Sequence, residues 1–139
     1  MCRLTLLVSG LVLALGVTAG AEHEVYYRFV VLGYLKDTHG QPVIGQMVEL
    51  TRNKTGLAYR TQTDAHGLYL LVARLGDESA GETLTLRAGP ASARIVARFD
   101  PTNHADDRGT RLDLEGSRFV ERAASFRPTL ARVLETLPR

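Results

Sequence analysis

The sequence has no tryptophan and a single cysteine. That cysteine, Cys2, stands ahead of the first apolar run, so a chain processed after that run carries no thiol. A disulfide framework and a cysteine nucleophile are then excluded together, and stability must come from a packed core. Charge of one sign is missing too. Seventeen Lys and Arg are interspersed with 15 Asp and Glu, for a net charge of +2. There is no basic stripe with interleaved aromatics of the kind that tracks nucleic acid. Catalytic signatures are equally sparse. No G-x-S-x-G elbow occurs, and Ser79, Ser92, Ser117 and Ser125 stand in no recognisable site context. The chain therefore reads as a non-enzyme with no cofactor.

Long apolar runs are absent but for one. Leu4 to Val17 follows the basic Arg3 and precedes Ala19-Gly20-Ala21. Basic, apolar and small residues in that order form a signal peptide, expected at 1–21 with cleavage after Ala21. The run is short for a bilayer span, which makes an uncleaved anchor the alternative. Either way the folded part lies in the periplasm or outside the cell. Membrane contact is expected only through the signal segment or the C-terminal tail. The mature chain, roughly 118 residues, is long enough for one core.

What the mature chain does have is alternation punctuated by turns. Val25 to Lys36 alternates with Phe29, Val31 and Leu35 on one face, and Val30, Leu32 and Tyr34 on the other. The second face is too apolar to be fully solvated. The run ends in Asp37-Thr38-His39-Gly40, and Asp64-Ala65-His66-Gly67 repeats that chemistry before Leu68 to Arg74. Asp bonds its own backbone two residues on, and Gly supplies φ > 0, so each cluster reads as a tight connection between strands. Pro42 belongs at the mouth of the next strand and Gly45 marks a bulge or close approach. Further strands are expected at about 46–51, 57–63, 83–88, 92–99 and 110–114, with 57–63 the most polar and suited to an edge.

Gly33, Leu35, Asp37, Gly40, Pro42, Val43, Gly45, Val48 and Leu50, followed by Thr63, Asp64, Gly67 and Tyr69, fill a pattern. That pattern resembles the carboxypeptidase regulatory-like domain of the prealbumin-like (transthyretin-like) families. The resemblance implies an all-β, seven-stranded Greek-key sandwich, placed here at 22–115. In carboxypeptidases this domain is an appendage and the zinc site lies on another domain, so the resemblance implies no catalysis here. Residues 116–139 fall outside it. There Leu130, Val133, Leu134 and Leu137 recur at helical spacing between Pro128 and Pro138, and Phe119, Val120, Ala123 and Ala124 suggest a second helical piece. This helical tail either packs over Tyr26, Val30, Leu32 and Tyr34 or docks a partner protein or membrane surface.

Function is less legible. The main reading is an exported accessory module with a protein partner in the cell envelope, bound through the second apolar face or the tail. A carbohydrate-binding module of the starch-binding-like type is the alternative, with Tyr26, Tyr34 and Tyr59 as the ring platform. A small metal-handling protein is the third reading. It would use His39 and His66, brought to one end by the strand order with Asp37 and Asp64 beside them. Asp100, Asn103, Asp106 and Asp107 form an oxygen-rich loop that would suit calcium or be simply solvated.

Overall fold

The computed structural model describes residues 25–137, so the signal segment and Pro138 lie outside the described residues. Strands run β1 Tyr27–Lys36, β2 Met47–Arg52, β3 Ala58–Gln62, β4 Leu68–Leu75, β5 Thr83–Ala88, β6 Ala91–Val96, β7 Arg108–Glu115 and β8 Arg118–Glu121. A 3-10 turn at Ala123–Ser125 leads into helix α1, Phe126–Thr136, and another occupies Asp77–Ser79. The strands form two four-stranded sheets, ordered β4-β1-β7-β8 and β3-β2-β5-β6. All pairings are antiparallel except β1 with β7. This is the expected all-β, two-layer Greek-key sandwich with a short C-terminal helix.

The described residues form eight strands where seven were expected. The additional one is β8, in the stretch where Phe119 and Val120 suggested helix. Gly116 turns the chain back with φ +69°, and Arg118 to Glu121 then pairs with Glu115 to Leu112. Phe119 packs against the core between the sheets. Four residues are too few for their spacing to separate the two periods, and the neighbouring strand decides.

The alternation of the strands sets the core. Phe29, Val31 and Leu35 of β1, Val48 and Leu50 of β2, Tyr69, Leu71 and Ala73 of β4, and Leu84 and Leu86 of β5 are buried between the sheets. β3 lies at an edge, as its polarity indicated.

Both Asp-x-His-Gly clusters make the same turn. Asp37 Oδ1 accepts the N–H groups of His39 (2.8 Å) and Gln41 (2.9 Å). Asp64 Oδ1 accepts those of His66 (2.8 Å) and Leu68 (2.9 Å). The two turns share one pole of the sandwich, where the Leu35 N–H donates to the Gly67 carbonyl at 2.8 Å and the Val43 N–H to that of Leu35 at 2.9 Å. Pro42 forms an isolated bridge to Lys36 beside them, ahead of β2, which begins only at Met47 rather than at the proline. The Gly45 N–H donates to the Thr63 carbonyl at 3.0 Å.

The parallel β1–β7 pairing is interrupted midway, between Leu32–Arg111 and Leu35–Leu114. At Gly33 the strands approach so closely that a Cβ would stand 1.7 Å from the Leu112 carbonyl oxygen. Two side chains satisfy the polar groups there. The Tyr69 hydroxyl donates to the Leu112 carbonyl at 2.6 Å, and the Tyr34 N–H donates to the Asp113 carboxylate at 3.0 Å. Burial, with the charge of Asp113 adding to it, pushes the Tyr69 phenol well above its ordinary pKa, so it remains a donor.

Gly67 and Gly40 should separate the effects of turn conformation and crowding. Both have φ near +75°, but a Cβ on Gly67 would lie 2.5 Å from the Leu35 carbonyl oxygen while one on Gly40 meets nothing within 4 Å. Gly40→Ala is expected to lower unfolding stability by about 1 kcal/mol and Gly67→Ala by about 2–4 kcal/mol. Urea unfolding of both variants checks this, and equal losses would contradict the crowding at Gly67.

Candidate functional site

The outer face of the β4-β1-β7-β8 sheet carries the apolar side chains that alternation leaves outside the core. Helix α1 lies on it. Phe126 and Leu130 bury Val30 and Leu32, with Leu70 packed alongside. The Phe126 ring sits directly over Gly109, where a Cβ would come within 2.5 Å of it. Of the expected helical stripe, Leu130 and Val133 are buried, while Leu134 and Leu137 remain 53% and 54% exposed.

A polar network fastens the helix at its first turn. Arg111 makes a bidentate pair with Asp113, at 3.0 and 2.8 Å, and its Nη1 donates to Thr129 Oγ1 at 2.9 Å. Arg122 Nη1 donates to the same carboxylate at 2.7 Å. The Arg111 guanidinium also lies 5.3 Å from the Tyr34 ring centroid. Burial works to raise the Asp113 pKa. It is outweighed by the Arg111 hydrogen bonds, the Tyr34 N–H and the charges of Arg111 and Arg122, which together hold the carboxyl below its ordinary value.

Beside the helix a groove of about 270 Å³ remains open, floored by Leu70 and Val72 and bounded by Leu134. Its far wall is a stack. The Arg108 guanidinium lies 4.2 Å from the Phe99 ring centroid and 4.7 Å from that of Tyr27, and the His104 ring lies parallel to Tyr27 at 4.5 Å. Asp77 closes the stack from the side, accepting from Arg108 Nη2 at 3.0 Å and meeting His104 Nε2 at 2.9 Å. Arg108 Nη2 further donates to the carbonyls of Asp100 and Asn103, at 3.3 and 3.0 Å. This cluster pins the loop between β6 and β7.

The groove borders a sheet edge. β4 is the outermost strand of its sheet. The Leu35–Gly67 bond and the register show that odd-numbered β4 residues bond β1, so the even ones direct their N–H and C=O groups outward. The Leu68 N–H goes to Asp64 and the Arg74 N–H to the Tyr59 hydroxyl. Between them, the outward backbone groups of Leu70 and Val72 face an open edge among the described residues.

The three tyrosines suggested by the sequence do not share a row. Tyr26 is 46% exposed just before β1. Tyr34 is half-buried beneath Arg111, and Tyr59 belongs to the other sheet, packed against the core. His39 and His66 are exposed in their turns at one pole. Among the described residues no group of three or more His, Cys, Asp or Glu is set to hold a metal ion. The backbone bonds from Gln41 and His39 hold Asp37 below its ordinary pKa, which is the signature of a carboxylate committed to its turn. In the oxygen-rich loop, Asp100 Oδ1 accepts from Thr102 N–H and Oγ1, and Asp106 accepts from Asn103 Nδ2 at 2.9 Å. Sequence reasoning did not single out Arg108, Tyr27, Asp77, Arg111 or Asp113. None lies in a motif. The partners of Asp77 stand 27 and 31 residues away along the chain, and those of Arg111 and Asp113 include Thr129 and Tyr34 on other elements.

No family model matches the chain, and no curated protein matches it. Among solved structures, it is similar to the C-terminal fragment of the pilus adhesin SpaC from Lactobacillus rhamnosus GG. The identity is 16% and the TM-score 0.44, over 70% of this chain and 44% of that fragment. An iodide-soaked form of the same fragment gives 18% identity and a TM-score of 0.42, over 69% and 43%. This chain thus spans less than half of the fragment's length.

Asp113→Asn should lower stability at neutral pH by about 2 kcal/mol, since it weakens two guanidinium pairs around a buried group. The folded pKa of Asp113 is depressed, so its contribution is present above the ordinary value of 3.8 and is lost as pH falls through the lowered one. The difference in unfolding free energy between wild type and Asp113→Asn should therefore shrink below pH 3.8. A difference independent of pH would show that the charge of Asp113 has no role.

Proposed function

We propose that this chain is an exported, non-catalytic accessory module that binds a protein partner in the cell envelope or outside the cell. Export is supported by Arg3, the Leu4–Val17 run and Ala19-Gly20-Ala21, which together read as a cleaved signal peptide at 1–21. No helix among the described residues is long and apolar enough to cross a membrane. The matched Asp37 and Asp64 turns, with Gly40, Pro42, Gly45, Gly67 and Tyr69 in the positions described, support kinship with carboxypeptidase regulatory-like, prealbumin-like sandwiches. That kinship favours an appendage over an enzyme.

The tail helix covers Val30 and Leu32, so the middle of the outer face is not the docking surface. The observation that carries the reading is the open stretch of β4 at Leu70 and Val72 beside the apolar groove. Edge strands are ordinarily blunted by lysine, proline, a bulge or a covering loop. Here the edge carries exposed Val72 instead, next to exposed Leu134. An extended partner segment laid against β4 would gain backbone hydrogen bonds at Leu70 and Val72 and place alternate apolar side chains in the groove.

Val72→Lys puts a charge on that edge without touching the core. It should leave the unfolding midpoint nearly unchanged, within about 0.5 kcal/mol of wild type. Crosslinking in the native envelope fraction should yield a partner for wild type that Val72→Lys loses. No wild-type partner, or one retained by Val72→Lys, would refute strand addition at β4.

A further inference from the structure

The apolar strip beside β4 ends in a pair of like charges. Along the outer face of this sheet, Arg74 stands opposite Arg28, Val72 opposite Val30 and Leu70 opposite Leu32. Odd-numbered β4 residues carry the hydrogen bonds to β1. The even-numbered pairs are therefore the non-hydrogen-bonded ones, with Cα atoms about 4.5 Å apart and side chains closest together. Both arginines are exposed, and Arg28 lines the groove. Neither guanidinium has a hydrogen-bond or ion-pair partner among the described residues, in contrast to those of Arg52, Arg60, Arg108, Arg111 and Arg122.

Like charges placed directly across an antiparallel pair are destabilising. One charge would suffice to guard an edge strand against indiscriminate pairing. Arg28 guards no edge, because β1 is an interior strand. Arg74 bounds the open stretch without interrupting it, since its N–H is already taken by the Tyr59 hydroxyl. The acidic residues of the groove, Asp106 and Asp107, belong to the loop before β7 and pair with neither arginine. Asp106 is engaged instead by Asn103 at 2.9 Å and Arg127 at 3.8 Å.

The register converts this charge pair into a sequence preference. A strand added at β4 sets the residues opposite Leu70, Val72 and Arg74 on the same outer face, at alternate positions. Two of them meet the apolar strip, and the third meets both guanidinium groups. We propose that the segment taken up at β4 carries an Asp or Glu side chain opposite Arg74, shared with Arg28, and apolar side chains opposite Val72 and Leu70. Antiparallel addition, the more stable kind, sets the order acidic-x-apolar-x-apolar. A carboxylate between two guanidinium groups offsets their mutual repulsion and accepts charge-assisted hydrogen bonds from both. The preference rests on strand addition at β4 and gives that addition its direction.

Amide NMR of the purified protein tests it with four synthetic peptides, acetylated and amidated. They are Glu-Thr-Val-Thr-Val, its counterparts with Gln or Lys in first place, and the reversed Val-Thr-Val-Thr-Glu. The Leu70 and Val72 amides should shift saturably with the Glu peptide at low ionic strength. Its Kd should be about fivefold below that of the Gln peptide, with the Lys peptide weaker still, and the advantage should shrink with added salt. The double variant Arg28→Gln/Arg74→Gln, which alters no core residue, should still bind but take the Glu and Gln peptides alike. Equal Kd values for those two peptides in wild type, or a preference that survives in the double variant, overturn the acidic preference and leave strand addition standing. Tighter binding of the reversed peptide overturns the direction. No saturable shift at Leu70 and Val72 with any of the four overturns the preference and strand addition together.

Discussion

The outer half of this protein depends on one carboxylate. Asp113 takes up the Tyr34 N–H that the interrupted β1–β7 pairing releases, and it gathers Arg111 and Arg122 around itself. Arg111 then reaches Thr129 in the first turn of α1. A single charged group therefore couples three things: the join between β1 and β7, the return of the chain after β8, and the seating of the helix. Its 9% exposed side chain is tolerable in the charged state only because hydrogen bonds and two guanidinium groups offset the loss of water. Thr129 completes the coupling by donating to the Ser125 carbonyl at 2.6 Å, which ties the network to the helix backbone.

The seated helix redistributes the exposed apolar surface. Val30 and Leu32 would otherwise form a broad hydrophobic face on the outer sheet, and α1 removes them from water. An 11-residue helix has little stability by itself, so this burial and the Arg111–Thr129 bond are what keep it formed. What the helix leaves uncovered is narrower and more specific: the Leu70–Val72 edge of β4 and the flank of α1 at Leu134. The loop before β7 frames that strip through the layered Phe99, Arg108, Tyr27 and His104 side chains. Arg108 serves as a structural cation on the side of Asp77, Asp100 and Asn103 while its other terminal nitrogen has no acceptor among the described residues.

Legibility followed the range of the interactions. The two Asp-x-His-Gly turns were plain in the sequence because a turn is completed within about five residues, by one side chain and one glycine. The inward faces of β1, β2, β4 and β5 were plain because alternation is local. β8 was not, since Phe119 and Val120 form a strand only because β7 lies alongside. Residue type alone grouped the three tyrosines, and Tyr34 and Tyr59 lie on different sheets. Nothing in the sequence marked Arg108 or Asp113, whose roles rest on contacts made across the fold.

By itself, the sequence determined the alternation, the positions of the corners, the outward apolar positions of β1 and the helical spacing of the tail. Each depends on residues near one another along the chain, where backbone sterics and side-chain period act directly. Tertiary structure alone decided that α1 lies on that outer face, that β4 keeps an open edge beside it among the described residues, and that Arg108 and Asp113 become enclosed charges. Those outcomes depend on which surfaces meet once two sheets have closed, and desolvation gives a charge its structural role only at that stage.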